Sequence, residues 1–308
     1  MYRYKIILNP QSAKGATRKR IPEIQQALNE LGLNYSLTLT ERPWHAAELA
    51  REAVVDGFDV VVAVGGDGTV NEILNGILSG HQGKQAEDIL FGVLPVGRGN
   101  DFCFANGIPL DFKAACQTLA AGRVRIVDAG RISSEQDSMV RYFGNGVGIG
   151  FDAVVSRVAN QARLSGFLSY LIAALQTMYI YYHAPEMQIE LSNETIRQRS
   201  LMVSVMNGRR AGGGFLMAPH ADPGDGMFDL CIARNISKAK ILALIPRFMN
   251  GTQGTNPAIQ FRQATRVTVR AMDGFLPVHV DGEVLSLDVK ELLVEILPGR
   301  LKVISDAS

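Results

Sequence analysis

The chain has 308 residues, enough for two domains of ordinary size, and its 31 Lys and Arg against 30 Asp and Glu leave a formal charge of +1. No overall basic excess argues for nucleic acid, so any anionic partner must be met by a local patch. Cys103, Cys116 and Cys231 lie far apart without Cys-x-x-Cys spacing, and the five histidines are as scattered, which argues against a disulfide framework and a zinc site and suits a reducing cytosol.

The amino terminus has only a short apolar run before Asn9-Pro10, too little for a signal peptide. "YKIILN" (Tyr4 to Asn9) reads as a strand, Ile21 to Leu31 as an amphipathic helix, "YSLTLT" (Tyr35 to Thr40) as a strand, and Trp44 to Val55 as a helix. "DVVVAV" (Asp59 to Val64) reads as a fully buried strand. Val70, Ile73, Leu74, Ile77 and Leu78 then recur at helical spacing. Ile89 to Gly97 gives a strand, Asp111 to Ala121 a helix and Val124 to Gly130 a strand. Strands alternating with helices predict a parallel sheet with helices on both faces.

Beyond about residue 130 the texture changes. "MVRYFGNGVGIGF" reads as glycine-rich strand; "EMQIEL", a turn at Ser192 to Glu194, "RSLMVSVMN" and "MFDLCIAR" follow closely. Ser237 to Phe248 reads as a helix capped by Ser237. "QATRVTVRA", "LPVHVDGEVL" and "VKELLVEILP" read as strands, and "LKVIS" as one that returns to the first domain. The expected architecture is an α/β domain over 1–130 plus about 299–308, and a β-rich, mainly antiparallel, sandwich-like domain over 131–298. Between them lies Leu164 to Tyr182, uncharged and near spanning length, but diluted by Ser165, Gly166, Ser169, Gln176 and Thr177. A buried or interfacial helix is the expectation.

"GGDGT" (Gly65 to Thr69) closes a buried strand and opens a helix. Glycines there permit a tight turn at the carboxyl end of a strand, and a helix starting near Val70 would direct its amides and positive dipole end at an anion. The stretch is neither Walker A nor a dinucleotide fingerprint, and by itself it is also an ordinary tight turn. Asp67 would repel a phosphate unless a divalent cation lay between them, because Mg²⁺ takes carboxylate and phosphate oxygens together.

"GGDGTVNE" (Gly65 to Glu72) resembles the signature of the diacylglycerol kinase catalytic domain, in a superfamily with sphingosine kinases, NAD kinases and, more remotely, phosphofructokinases. Four further stretches fit the family in order. "LNPQSAKG" (Leu8 to Gly15) is similar to its Asn-Pro-x-Ser-Gly-x-Gly, with Ala13 replacing a glycine; "PVGRGNDF" (Pro95 to Phe102) to Pro-x-Gly-Thr-x-Asn-Asp-Phe, with Arg98 at the threonine; "ADPGDGMFDL" (Ala221 to Leu230) to its Asp-Gly-x-Phe/Leu-Asp; and "VDGE" (Val280 to Glu283) to its late Asp-Gly-Glu. The match points to the bacterial soluble lipid-kinase branch.

The resemblance implies ATP and Mg²⁺ as cofactors, with nucleotide held by Asn9, Ser12, Thr40, Gly65, Gly66, Asp67, Gly68, Thr69, Asn71, Glu72, Arg98 and Asn100. Read alone, Asn9 begins an Asn-Pro turn, Thr40 ends a strand, and Asn100 and Asp101 cap a helix. Arg98 offers a charged fork where the family has a hydroxyl. A structural Mg²⁺ is implied at Asp222, Asp225 and the Met227 carbonyl, a segment that is otherwise an acidic turn. "VDGEVL" alone is a hairpin turn; the family makes Glu283 the general base, with Asp281 a second candidate on the same strand face if the strand continues. The implied acceptor is a lipid alcohol, diacylglycerol first, and the family keeps an apolar helix beside its interdomain cleft. Phe167, Tyr170, Tyr179, Tyr181 and Tyr182 suit an interface, while Arg157, Arg163, Arg18, Lys19 and Arg20 could meet an anionic membrane at about 1 kcal/mol per cation. The expectation is a cytoplasmic, peripherally membrane-associated lipid kinase without nucleic acid, its oligomeric state open, a homodimer included. The rivals are an NAD kinase, disfavoured by the late Asp-Gly-Glu, and a non-catalytic regulator, which Arg98 and Ala13 keep in play.

Overall fold

The computed structural model describes residues 2–79, 88–136, 138–161, 167–180 and 182–307. The chain divides into Met1–Asp128 with Pro298–Ser308 as one compact unit and Ala129–Leu297 as another.

The first unit is built on β1 (Arg3–Leu8), β2 (Asn34–Leu39), β3 (Val60–Gly65) and β4 (Leu90–Pro95), in the order β2-β1-β3-β4 and parallel throughout. The end of β15 (Glu291–Ile304) joins parallel to β4 through Lys302 and Val303. Every residue of β3 and β4 is buried, as unbroken Val-rich runs require when helices cover both faces. Those helices are α1 (Thr17–Glu30), α2 (His45–Val55), α3 (Asp67–Leu78), α4 (Asp101–Ala105) and α5 (Phe112–Ala121). Helix α1 starts four residues before the apolar periodicity does, because Thr17 to Arg20 are mostly polar; the Thr17 hydroxyl ties that start to Ser12 O at 3.1 Å. Helix α5 is capped at Asp111, whose side chain accepts from Ala114 N at 2.9 Å.

The second unit is mainly antiparallel. Its strands are β5 (Val124–Ser134), β6 (Met139–Phe143), β7 (Gly146–Gly150), β8 (Glu186–Glu190), β9 (Thr195–Met206), β10 (Phe228–Arg234), β11 (Ile259–Ala264), β12 (Arg266–Ala271), β13 (Leu276–Val280), β14 (Glu283–Val289) and most of β15. β9 serves two sheets: its first half pairs with β8, its second with β7 and β10. The core between them gathers Phe143, Val147, Ile149, Val203, Val205, Phe228, Leu230 and Val267, with Phe143 stacked on Phe228 at 5.6 Å. Helices α6 (Phe151–Gln161), α7 (Phe167–Ile180) and α8 (Lys238–Asn250) cover a second cluster that includes Phe151, Met178, Phe215 and Leu244.

Several expected elements differ in detail. "QATRVTVRA" is two strands, since residues to Ala264 pair with β10 and those from Arg266 with β15 and β8. "VKELLVEILP" and "LKVIS" are one strand running through Pro298-Gly299; Gly299 takes φ 62° and donates its N–H to Asp128 Oδ1 at 2.7 Å. Ser237 occupies the cap position of α8 without a side-chain cap bond. Helix α4 begins at Asp101 with Asn100 in the cap position, where the residues suggest a cap, though without a side-chain cap bond; α6 falls where no helix is expected.

Of the Leu164 to Tyr182 stretch, α7 spans 14 residues, about 21 Å at 1.5 Å per residue. Arg163, Leu164 to Gly166 and Tyr181 lie outside the described residues, and only the backbone of Phe167 and Tyr170 is described. Ala173, Thr177 and Met178 are buried, whereas Ile172 and Leu175 are exposed and Tyr179 is 87% exposed. Among the described residues no helix is long and apolar enough to cross a membrane.

Candidate active site

In the first unit the sheet order reverses at β1, whose neighbours are β2 on one side and β3 on the other. Ligands of open α/β sheets bind outside the carboxyl ends of strands at such a switch point. The sequence brings its first motifs there. Asn9 N donates to Val64 O at 3.0 Å, Thr40 N to Leu8 O at 2.9 Å, and Val96 and Gly97 both donate to Gly65 O, at 3.1 and 3.2 Å.

Helix α3 begins at Asp67, three residues before the expected start, with Gly66 as its extended cap residue. The first intrahelical bond runs from Val70 N to Gly66 O at 3.1 Å, so the amides of Gly66, Asp67, Gly68 and Thr69 lie ahead of the helical ladder. Thr69 Oγ1 accepts from Asn9 Nδ2 at 3.0 Å and lies 3.4 Å from Ser12 Oγ. Three predicted residues from two strand ends thus meet. Beside them Ala13, Lys14 and Gly15 all take positive φ (52°, 58° and 84°), which accounts for the glycine preference at Ala13 in the similar motif.

The glycines serve a purpose the sequence did not disclose. A Cβ on Gly97 would fall 2.3 Å from Gly66 Cα, so the "GGDGT" and "PVGRGND" loops touch backbone to backbone. A Cβ on Gly99 would lie 2.7 Å from Asp67 Oδ2 and 3.8 Å from Asp101 Oδ2, so two carboxylates border this one glycine. Asp67 Oδ1 accepts from Phe102 N at 3.2 Å, and Asp101 is buried. The sequence weighed Asp101 only as a helix cap; its neighbourhood to Asp67 arises from the loop contact and has no spacing signal. Arg98 is exposed, its Nη2 3.4 Å from Ala13 O, and Asn100 holds the loop through Nδ2 to Gly97 O at 3.2 Å.

Asn71 and Glu72 have structural partners. Buried Asn71 accepts from Asn75 Nδ2 through its carbonyl oxygen at 2.8 Å, and Glu72 Oε2 accepts from Ala46 N at 3.2 Å in the first turn of α2.

In the second unit Asp281 and Gly282 form the two-residue turn between β13 and β14, both left-handed (φ 47° and 85°), the type I′ pattern of tight hairpins. Asp281 therefore does not share a strand face with Glu283. Its Oδ1 accepts from Asn145 N (3.0 Å) and Gly146 N (2.9 Å) and its Oδ2 from Gly144 N (3.1 Å), which staples the turn to the β6–β7 connection. Glu283 opens β14 and is exposed.

The acidic loop before β10 is self-supporting. Asp222 Oδ1 accepts from Gly224 N at 3.1 Å and Asp225 Oδ1 from Met227 N at 2.9 Å. Burial, with the Asp225 charge nearby, pushes the Asp229 carboxyl above its ordinary range. Among the described residues no group of three or more His, Cys, Asp or Glu is arranged to hold a metal. Asp67 with Asp101 nonetheless fits Mg²⁺, which is bound by one or two carboxylates together with substrate phosphates. The Asp222 loop brings two carboxylates and its backbone carbonyls.

Two family models match the chain. Residues 3–132 match the family model of the diacylglycerol kinase catalytic domain, and residues 145–305 that of the YegS C-terminal NAD kinase beta sandwich-like domain. The chain is 30% identical to a diacylglycerol kinase of Mycobacterium tuberculosis, over 90% of this chain and 87% of that one. It is 28% identical to a diacylglycerol kinase of Bacillus subtilis, over 92% and 90%, and 27% identical to a probable YegS-like lipid kinase of Pseudomonas aeruginosa, over 94% and 91%. The fold is similar to that of a putative diacylglycerol kinase from Bacillus anthracis, with a TM-score of 0.79 at 20% identity over 99% and 97% of the two chains. An NAD kinase from Archaeoglobus fulgidus shares the fold more distantly, with a TM-score of 0.53 at 14% identity over 99% and 94%.

Proposed function

The chain belongs to the diacylglycerol kinase family of lipid kinases, and from that premise we propose that it transfers the γ-phosphoryl group of ATP to the hydroxyl of diacylglycerol or a related lipid alcohol, giving phosphatidic acid or its analogue. The observation that carries the nucleotide half is the meeting of Asn9, Ser12 and Thr69 beside Asp67 at the β1/β3 switch point.

In this reading the amides of the Gly66–Thr69 turn, with Ser12, Lys14 and the Arg98 guanidinium, receive the phosphates, and Thr40 and Asn100 border the nucleotide. Asp67 and Asp101 would hold Mg²⁺, which supplies charge neutralisation on the phosphate oxygens when bound. Asp222, Asp225 and the Met227 carbonyl are the candidate ligands of a structural ion. Glu283 accepts the hydroxyl proton as the lipid oxygen attacks γ-phosphorus and the bond to the β-phosphate oxygen breaks, releasing ADP. Asp281, with its carboxylate on three amides, holds the turn; the exposed Glu283 is the better base. A placed base contributes about 10²–10⁴ in rate, and the remainder comes from positioning and charge.

The acceptor sits in a bilayer, and the exposed Ile172, Leu175 and Tyr179 of α7 support peripheral contact. Lys238 lies 5.8 Å from the Tyr179 ring and 5.5 Å from that of Tyr182, adding a cation suited to anionic lipid.

The test is γ-labelled ATP offered with dioctanoylglycerol, sphingosine and monoacylglycerol in mixed micelles, and with NAD in a separate reaction. Label in phosphatidic acid is expected. Label in another lipid reassigns the acceptor, label in NADP overturns the lipid reading, and ATP binding without any labelled product selects the regulator.

A further inference from the structure

Behind the Asp281–Gly282 turn lies a row of buried polar side chains that the chemistry above does not use. His279 on β13 pairs in register with Gly148 on β7, Gly148 pairs with Ser204 on β9, and Ser204 pairs with Cys231 on β10. Asp152, in the first turn of α6, brings its carboxylate over this row: Oδ2 accepts from Ser204 Oγ at 2.8 Å and lies 3.7 Å from His279 Nε2. His279, Asp152 and Ser204 are 5%, 7% and 1% exposed. Glycine at 148 is what admits them, since a Cβ there would sit 2.1 Å from His279 Nε2 and 2.3 Å from Asp152 Oδ2. Cys231 is walled in beside them, its thiol pushed far above the ordinary range by burial and by the Asp152 charge.

On its other edge His279 Nδ1 accepts the N–H of Gly282 at 3.2 Å. An imidazole nitrogen that accepts an N–H carries no proton, so the ring proton of neutral His279 lies on Nε2, the edge turned to Asp152. The Gly282 N–H therefore sets the tautomer, and the Asp152 carboxylate, oriented by Ser204, lies near the Nε2 edge at 3.7 Å, beyond hydrogen-bond distance. This costs stability: Asp152 Oδ1 is buried with no hydrogen-bond partner among the described residues. The immediate strand neighbours of Gly148, Ser204 and His279, which are Val147, Ile149, Val203, Val205, Val278 and Val280, point to the opposite face of the sheet, into the apolar core, so the polar groups are confined to the face that α6 covers.

We propose that His279 is a positioning residue for phosphoryl transfer: buried beside Asp152 and Gly148, it clamps Gly282 through Nδ1 and so fixes the direction in which Glu283 leaves the turn. The inference rests on the reading of Glu283 as the base. Misplacing a reacting group by about 1 Å costs on the order of 10²-fold in rate, so a clamp one residue from the base acts on kcat.

The experiment compares His279→Leu and His279→Asn with Glu283→Gln in the full chain, using ATP and dioctanoylglycerol micelles, with kcat and both KM values measured. Asparagine carries an acceptor oxygen at the place of Nδ1. The expected result is a fall in kcat of about 10–100-fold for His279→Leu, with little change in KM for ATP, and recovery of most of that loss in His279→Asn. Equal losses in the two His279 variants, or wild-type kcat in His279→Leu while Glu283→Gln is inactive, overturns the inference alone. An active Glu283→Gln overturns the base assignment and the inference with it. Amide exchange at Gly282 reads the clamp without turnover: it speeds up by about tenfold or more in His279→Leu and stays near wild type in His279→Asn. Unchanged exchange in His279→Leu overturns the proposal.

Discussion

Replacing Asp281 separates its structural bonds from the chemistry assigned to Glu283. Three amides, of Gly144, Asn145 and Gly146, donate to its carboxylate at 3.1, 3.0 and 2.9 Å. Hydrogen bonds to a charged acceptor are worth about 1.5–3 kcal/mol each, but the site is half-buried and water replaces part of the loss, so about 1 kcal/mol per bond is the appropriate scale. Asp281→Ala forfeits all three and adds about 1 kcal/mol for a left-handed alanine at φ 47°, a total near 4 kcal/mol. Asp281→Asn is gentler, because asparagine tolerates that conformation and keeps an oxygen for Asn145 and Gly146. It sets an NH₂ against the Gly144 N–H, for a loss of about 1–2 kcal/mol. Urea unfolding at unchanged slope measures both values, and lipid phosphorylation is assayed on the same samples. Asp281→Asn should retain turnover within about tenfold of wild type. A collapse of about 10²–10⁴, the loss expected for a missing general base, in a variant of near-normal stability would refute the structural assignment of Asp281.

Gly97→Ala puts a methyl 2.3 Å from Gly66 Cα and should destabilise the first unit by about 1–3 kcal/mol while raising KM for ATP, since the displaced partner is the phosphate turn; normal stability and KM would show that the two loops do not touch as described. Asp306 is held below the ordinary carboxylate range by hydrogen bonds from Thr118, at 2.6 Å, and from Arg123. A depressed carboxyl stabilises the fold above its unfolded-state pKa and loses that contribution as pH falls through the native value, so the advantage of wild type over Asp306→Asn should shrink on acidification. A difference in unfolding midpoint that stays constant from neutral pH to pH 3 would count against this.

How much was legible in the residues follows from how locally each feature is encoded. Val60 to Val64 followed by glycines announces a buried strand and a turn within ten residues, so the α/β half and its "GGDGT" turn were readable, although the periodicity of Val70 onward hid the true start of α3 at Asp67. The β-rich half was readable in kind but not in connection. Nothing in "QATRVTVRA" marks where the chain changes sheets at Thr265, and Pro298-Gly299 looks like a stop although β15 runs through it. The functional contacts that escaped depend on what faces what across a fold. Asp101 and Asp67 both border Gly99 where the loops of Gly66 and Gly97 touch; Asp281 finds its three amides, and His279 its carboxylate, through strand register that spacing along the chain does not record.

The central claim is that this chain moves a phosphoryl group from ATP to a lipid hydroxyl, with Glu283 taking the proton. Mass spectrometry of dioctanoylglycerol incubated with ATP and either wild type or Glu283→Gln tests it most directly, with ATP binding measured on both proteins. The expected result is dioctanoyl phosphatidic acid from wild type and at least about 10²-fold less from the variant, with ATP binding retained by both. Unmodified lipid after incubation with wild type, or undiminished product from Glu283→Gln, would contradict the account.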